Sequence, residues 1–179
     1  ASFTHRAAFA GVINSVDSKR PTADLTWIAT NQPIDLNHWP QYHLKRKAHL
    51  TTIGQWEHAV DRVIELNGRK IASNKSAEYE KVISLPARSG ASIEIRMAGL
   101  PDDVSSRFEQ NGWIIASAFD ASQNPSVYQS WIRDSLGEFT VIKSLYAAEP
   151  SGWFSDRSAC FLATGRPVIT QSSGFDKWI

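Results

Sequence analysis

A single cysteine, Cys160, stands in the 179 residues, so no internal disulfide framework exists and a reducing compartment is expected. Charge of one sign is also lacking. The 19 Lys and Arg balance 18 Asp and Glu to a net +1, so nothing draws the chain electrostatically toward nucleic acid or a membrane surface. No apolar run approaches the roughly 20 residues that span a bilayer, and the opening ASFTHRAAFAGVINS is too polar for a secretory core. A cytoplasmic setting is therefore expected.

The missing motifs exclude several chemistries. There is no G-x-x-x-x-G-K-[ST] phosphate loop, no G-x-G-x-x-G dinucleotide fingerprint and no G-x-S-x-G nucleophile elbow. The five histidines, His5, His38, His43, His49 and His58, show no H-E-x-x-H or paired-cysteine zinc spacing, and no D-x-D occurs, so neither a metal nor another cofactor is expected. Cys160 lies among small apolar residues and is expected to be a buried, inert thiol.

What is present is ordinary globular composition, 42% hydrophobic and 21% charged, with seven tryptophans to pack. Residues 1–24, ending in DSKRPTAD, suggest a tail or inter-domain linker, and 25–179 a domain. LTWIAT (25–30) has strand composition, NQPIDLNHWP (31–40) is a loop and QYHLKRKAH (41–49) a basic, solvated segment. LTTIGQW (50–56) predicts a strand ending at Gly54, while EHAVDRVIELNG leaves helix and strand open. SAEYEKVISLP (76–86) has a helical stripe stopped by Pro86, and ASIEIRMAG (91–99) alternates as a strand. PDDVSSRFEQNG (101–112) and NPSVYQSWIRDS (124–135) predict helices, and WIIASAF (113–119) and GEFTVIKSLY (137–146) predict strands. The alternation predicts an α/β fold with a parallel sheet flanked by helices.

SGWFSDRSACFLATGRPVI (151–169) describes a loop, a capped helix, a tight turn and a buried parallel strand. Ser155 suits the N-cap, Asp156 the first turn, and Gly165 a left-handed end before Pro167. Such a helix start lies where open parallel sheets bind ligands, and its free N–H groups favour an anion, with Ser155, Arg157 and Ser158 as added donors. The alternative is that Ser155 only caps and Arg157 is solvated.

The ordered set TTIGQW, SNKSAEYEKVISLP, GEFTVIK and SGWFSDRSACFLATGRPVITQSSGF resembles the nucleotide-sugar-binding half of two-domain, GT-B type bacterial glycosyltransferases over roughly residues 25–179. The resemblance implies one Rossmann-like half of that fold, truncated at its C-terminus. The acceptor domain would be missing, the acceptor unknown, and the fragment alone inactive. It implies that Gly54 and Trp56 face the inter-domain cleft, that Lys75 meets the donor's phosphates, that Lys143 is delivered to the cleft at the carboxyl end of its strand, that Ser155, Asp156, Arg157 and Ser158 bind the donor, and that Gln171 to Gly174 form a second wall of the sugar pocket. Glu138 is expected to pair or cap rather than catalyse. The chain departs from the retaining members of the class, whose two glutamates correspond to Gly152 and Cys160 here. A non-catalytic nucleotide-binding module and a nucleotide-sugar epimerase or hydrolase on the same scaffold are the alternatives.

Overall fold

The computed structural model describes residues 34–41, 49–57, 63–66, 68–148 and 152–177. The expected tail over 1–24, the strand over 25–30 and residues 42–48 of the basic segment over 41–49 lie outside the described residues.

The chain alternates strands and helices in the order β1 (Leu50–Gln55), β2 (Val63–Leu66), β3 (Arg69–Ala72), α1 (Ser76–Glu80), α2 (Leu85–Ser89), β4 (Ile93–Ala98), α3 (Asp102–Gln110), β5 (Trp113–Ile115), α4 (Ala118–Ser122), α5 (Pro125–Asp134), β6 (Gly137–Thr140), α6 (Ser144–Ala148), α7 (Asp156–Ala163) and β7 (Val168–Thr170). Five of these strands form one sheet in the order β5-β4-β1-β6-β7, and every pairing in it is parallel. The central strand β1 comes first. The chain moves outward through β4 to β5, then returns to the other side of β1 for β6 and β7. This is the doubly wound, Rossmann-like order, and the reversal between β1 and β6 is its topological switch point. β2 and β3 form a separate antiparallel hairpin, which resolves the open choice at EHAVDRVIELNG in favour of strand for Val63–Leu66.

The period-two alternation of the strands sorts side chains onto two faces. Ile93, Ile95 and Met97 of β4, Trp113 of β5 and Phe139 of β6 pack with Trp56, Tyr79 and Phe108 on one face, with Val82, Ile83, Leu85 and Val104 against them. The opposite face packs Ile53 against Ala121, Trp131, Ile132, Cys160 and Phe161 of α4, α5 and α7. Here β6 has no room for a side chain at its first residue. A Cβ on Gly137 would meet the Pro167 carbonyl oxygen at 2.6 Å, so glycine permits the close approach of the turn before β7.

Four expected boundaries and one expected burial are corrected. β1 runs one residue past Gly54, to Gln55. The 76–86 helix is two short helices, because Pro86 starts α2 at its first turn instead of stopping the preceding one. The 113–119 strand is three residues long. After it Ser117 caps α4 by accepting a hydrogen bond from the Asp120 N–H. The 137–146 strand ends at Thr140. Beyond it the Ile142 N–H turns to Gln171 Oε1 at 3.1 Å instead of a neighbouring strand. β7 is parallel as expected but not buried: it is an edge strand, and Ile169 stays 49% exposed.

The other helices follow their signals. Asp102 and Asp103 open α3, and the Asn124 side chain accepts from the Val127 N–H at the start of α5. Gly165, at φ 76°, follows the last turn of α7 in the left-handed conformation that favours glycine.

Candidate functional site

β1 and β6 pair over only two positions, Leu50 with Gly137 and Thr51 with Glu138. Farther along, β1 pairs with β4 as far as Gln55, and β6 with β7 as far as Thr140. The sheet therefore opens at the switch point toward the carboxyl ends of its strands, where open α/β sheets bind ligands. Backbone groups facing the opening need partners from elsewhere.

Arg157 supplies them. Its first-turn position on α7 directs the side chain inward between the two strands. Nη1 donates to the Ile53 carbonyl at 2.6 Å, Nη2 to Thr140 Oγ1 at 3.0 Å, and Nε to Glu138 Oε1 at 2.5 Å. Glu138 is fully buried, and its second oxygen, Oε2, makes no hydrogen bond. Burial works against the Arg157 charge, but the Glu138 carboxylate outweighs it, and the guanidinium is held firmly protonated. The expectation that Glu138 pairs is met by this contact.

Lys75, immediately before α1, reaches the same opening. Its Nζ lies 3.4 Å from Thr140 Oγ1, so two cations converge on one neutral hydroxyl. The ammonium sits 5.9 Å from the centre of the Trp153 ring, which in turn stacks on Tyr146 at 5.2 Å. Burial first, then repulsion from Arg157 and Lys143 against the pull of Glu138, brings the Lys75 amine down to about 7. Lys143, half-buried, lies in the segment between β6 and α6 and adds to the positive field.

The rest of the floor is a buried polar network. Tyr79 Oη and Thr52 Oγ1 lie 2.9 Å apart, and burial pushes the Tyr79 hydroxyl up from its ordinary value. Gln171 bridges elements rather than facing outward: its Oε1 takes the Ile142 N–H and its Nε2 donates to Glu78 Oε2 at 2.8 Å. Glu78 is itself buried. Desolvation would raise its carboxyl, but hydrogen bonds from Lys81 and Gln171 leave it below the usual range. The segment after β7 is tied to the loop before α7 through Gly152 N–H to Ser173 O at 2.8 Å, Ser173 Oγ to Trp153 O, and the Phe154–Phe175 edge contact.

The structure thus brings Lys75, Lys143, Arg157 and Gln171 into one region. It treats the other expected residues differently. Ser155 occupies the N-cap position without a side-chain capping bond, Asp156 is exposed in the first turn, and Ser158 is buried. An exposed carboxylate there suits the helix dipole but repels an anion at the same place. Gly54 lies within β1, where a Cβ would come within 3.2 Å of Met97 Sδ. Trp56 belongs to the apolar core at 4% exposure, edge-on to Phe108 at 5.7 Å. Cys160 is buried as expected, and desolvation pushes its thiol up to about 11.

Sequence reasoning missed Thr140, Thr52, Tyr79 and Trp153. The available signal was GEFT itself: a carboxylate and a hydroxyl alternating with apolar residues on a strand buried at every position. Among the described residues no group of His, Cys, Asp or Glu is gathered to hold a metal ion, and no helix is long and apolar enough to cross a membrane. No family model, curated protein or solved structure matches the chain. What the fold and site establish together is a Rossmann-like parallel α/β sheet whose switch point is lined by buried polar and cationic side chains.

Proposed function

We propose that the chain is the donor-binding half of a metal-independent glycosyltransferase. It would hold a nucleoside-diphosphate sugar across the carboxyl ends of β1 and β6, with the diphosphate between the start of α7 near Ser155 and the side chains of Lys75 and Lys143. The observation that carries this reading is the gathering of Lys75, Lys143 and Arg157 at the switch point, where the buried carboxylates are already engaged, Glu138 by Arg157 and Glu78 by Lys81 and Gln171. An excess of positive charge in a low-dielectric crevice is a site for an anion.

In transfer, the bond from the anomeric carbon to the diphosphate breaks as an acceptor oxygen attacks, and negative charge grows on the leaving diphosphate. Lys75, Lys143 and the N–H groups at the start of α7 would stabilise that charge. Arg157 acts one step back. Three of its N–H groups are spent inside the sheet, so it fixes Thr140 and the local field rather than serving as a free clamp.

A second reading, a nucleotide-binding module without catalysis, is favoured by the burial and pairing of Glu138, which keep that carboxylate from acting as a base. Calorimetric titration with UDP, GDP, ADP and their sugars tests the common core of both. Selective binding that weakens about tenfold in Lys143→Ala supports the site. Absence of binding at millimolar concentration refutes it. Incubation of the protein with donor, with and without acceptors, separates transfer from epimerisation, hydrolysis and simple binding.

A further inference from the structure

Lys75 has an unusual set of neighbours. Thr140 on β6 offers it one oxygen, and Arg157 on α7 already donates to that oxygen. Thr140 Oγ1 is also 3.2 Å from the Val141 carbonyl, to which its own proton goes. Glu138 on β6 gives one oxygen to Arg157 and none to Lys75, and no ion pair reaches Lys75 among the described residues. Lys143, in the segment after β6, adds a like charge, and the remaining neighbour is the face of the Trp153 ring. Two cations thus face Lys75 from two elements, against one carboxylate that is already engaged. An anion beside Nζ would balance this charge.

We propose that the site takes up its diphosphate together with one proton, which is carried by Lys75. Burial and then Arg157 bring the Lys75 amine down to about 7, so that without a counter-charge it is largely neutral in mildly alkaline solution. A diphosphate beside Nζ supplies that counter-charge and restores the ammonium. The proton comes from a buffer acid in solution, whose bond to it breaks as the Nζ lone pair takes it up, leaving the conjugate base in solution. The sign follows from linkage. Binding raises the Lys75 pKa, so affinity is highest below about pH 7 and falls as pH rises above it. This inference rests on the donor-binding reading above and specifies how the same site is regulated.

The probes are UDP-glucose, GDP-mannose and ADP-glucose, whose diphosphate diesters do not titrate near neutrality. Calorimetry at pH 8 in buffers of different ionisation enthalpy counts protons directly. Uptake of about 0.9 proton per bound donor is expected at pH 8 and about 0.1 at pH 6. The affinity should fall about tenfold per pH unit above 7. Lys75→Arg, which stays charged, should abolish both the uptake and the pH dependence. Donor binding at pH 8 without proton uptake overturns this inference and leaves the donor site standing. Uptake that persists in Lys75→Arg overturns it as well, by assigning the proton elsewhere. If none of the three donors binds at either pH, the donor-binding reading falls and this inference with it. The wild-type count stands as a test even if the variant does not fold.

Discussion

Both faces of this sheet pack an apolar cluster, but they differ in what the strands add to it. Under α1, α2 and α3 the packing is aromatic: Phe108 meets Trp56 edge-on at 5.7 Å and Trp113 at 5.3 Å, and Trp113 meets Phe139 at 5.8 Å. Under α4, α5 and α7 the same strands carry charge. Glu94 pairs with Arg96, Glu138 with Arg157, and Thr51 Oγ1 donates to Ser135 Oγ. Each aromatic pair adds about 0.5–1.5 kcal/mol beyond area burial. A buried ion pair adds little net stability, because desolvation of both charges offsets their attraction. The first face holds the fold together. The second fixes a polar geometry at the switch point, at some cost to stability.

Glu138→Ala is the most damaging way to break this contrast. It leaves Arg157 buried without its carboxylate and should cost about 3–5 kcal/mol, read from urea denaturation. Glu138→Leu with Arg157→Met should recover most of that loss while abolishing nucleotide-sugar binding. If the double variant were as unstable as the single one, the charged face would be a stabilising element and the contrast would fail. Phe108→Ala should cost about 3–4 kcal/mol through the cavity it leaves, with donor affinity unchanged in whatever fraction folds. Loss of affinity without loss of stability would show the aromatic face to be part of the site.

Smaller changes sharpen the picture away from both faces. Asn124→Ala removes the cap of α5 and should cost about 1 kcal/mol in the same denaturation assay. Arg107→Ala breaks the surface pair with Glu80, whose side chains are 50% and 35% exposed, and should cost at most about 0.5 kcal/mol. A larger effect there would mean that surface electrostatics contribute more to this fold than the argument allows.

The fold was legible where the signal was local. Pro101 with the Asp pair, Pro125, and Asp156 with Gly165 each marked a helix end that the structure keeps. The strand cores IEI and WII stood out by composition. Boundaries failed where a distant partner decided them. Pro86 could stop one helix or start the next, and the end of β6 depends on Gln171, 29 residues away.

The site was legible as residue types but not as directions. Arg157 and Lys75 were expected to face a ligand. Their shared contact with Thr140 spans 17 residues from one and 65 from the other, a separation that no periodicity encodes. Trp56 was misplaced for a similar reason. One residue past β1, it was free to face the cleft or the core, and Tyr79 and Phe108 complete a pocket for it on the core side.

The most direct test of the central claim is a crystal structure with a bound nucleoside-diphosphate sugar. The account predicts a diphosphate over the carboxyl ends of β1 and β6, within hydrogen-bonding distance of Lys75 Nζ, with the Arg157–Glu138 pair intact beneath it. A diphosphate bound elsewhere on the sheet, with the crevice between β1 and β6 unchanged, would contradict it.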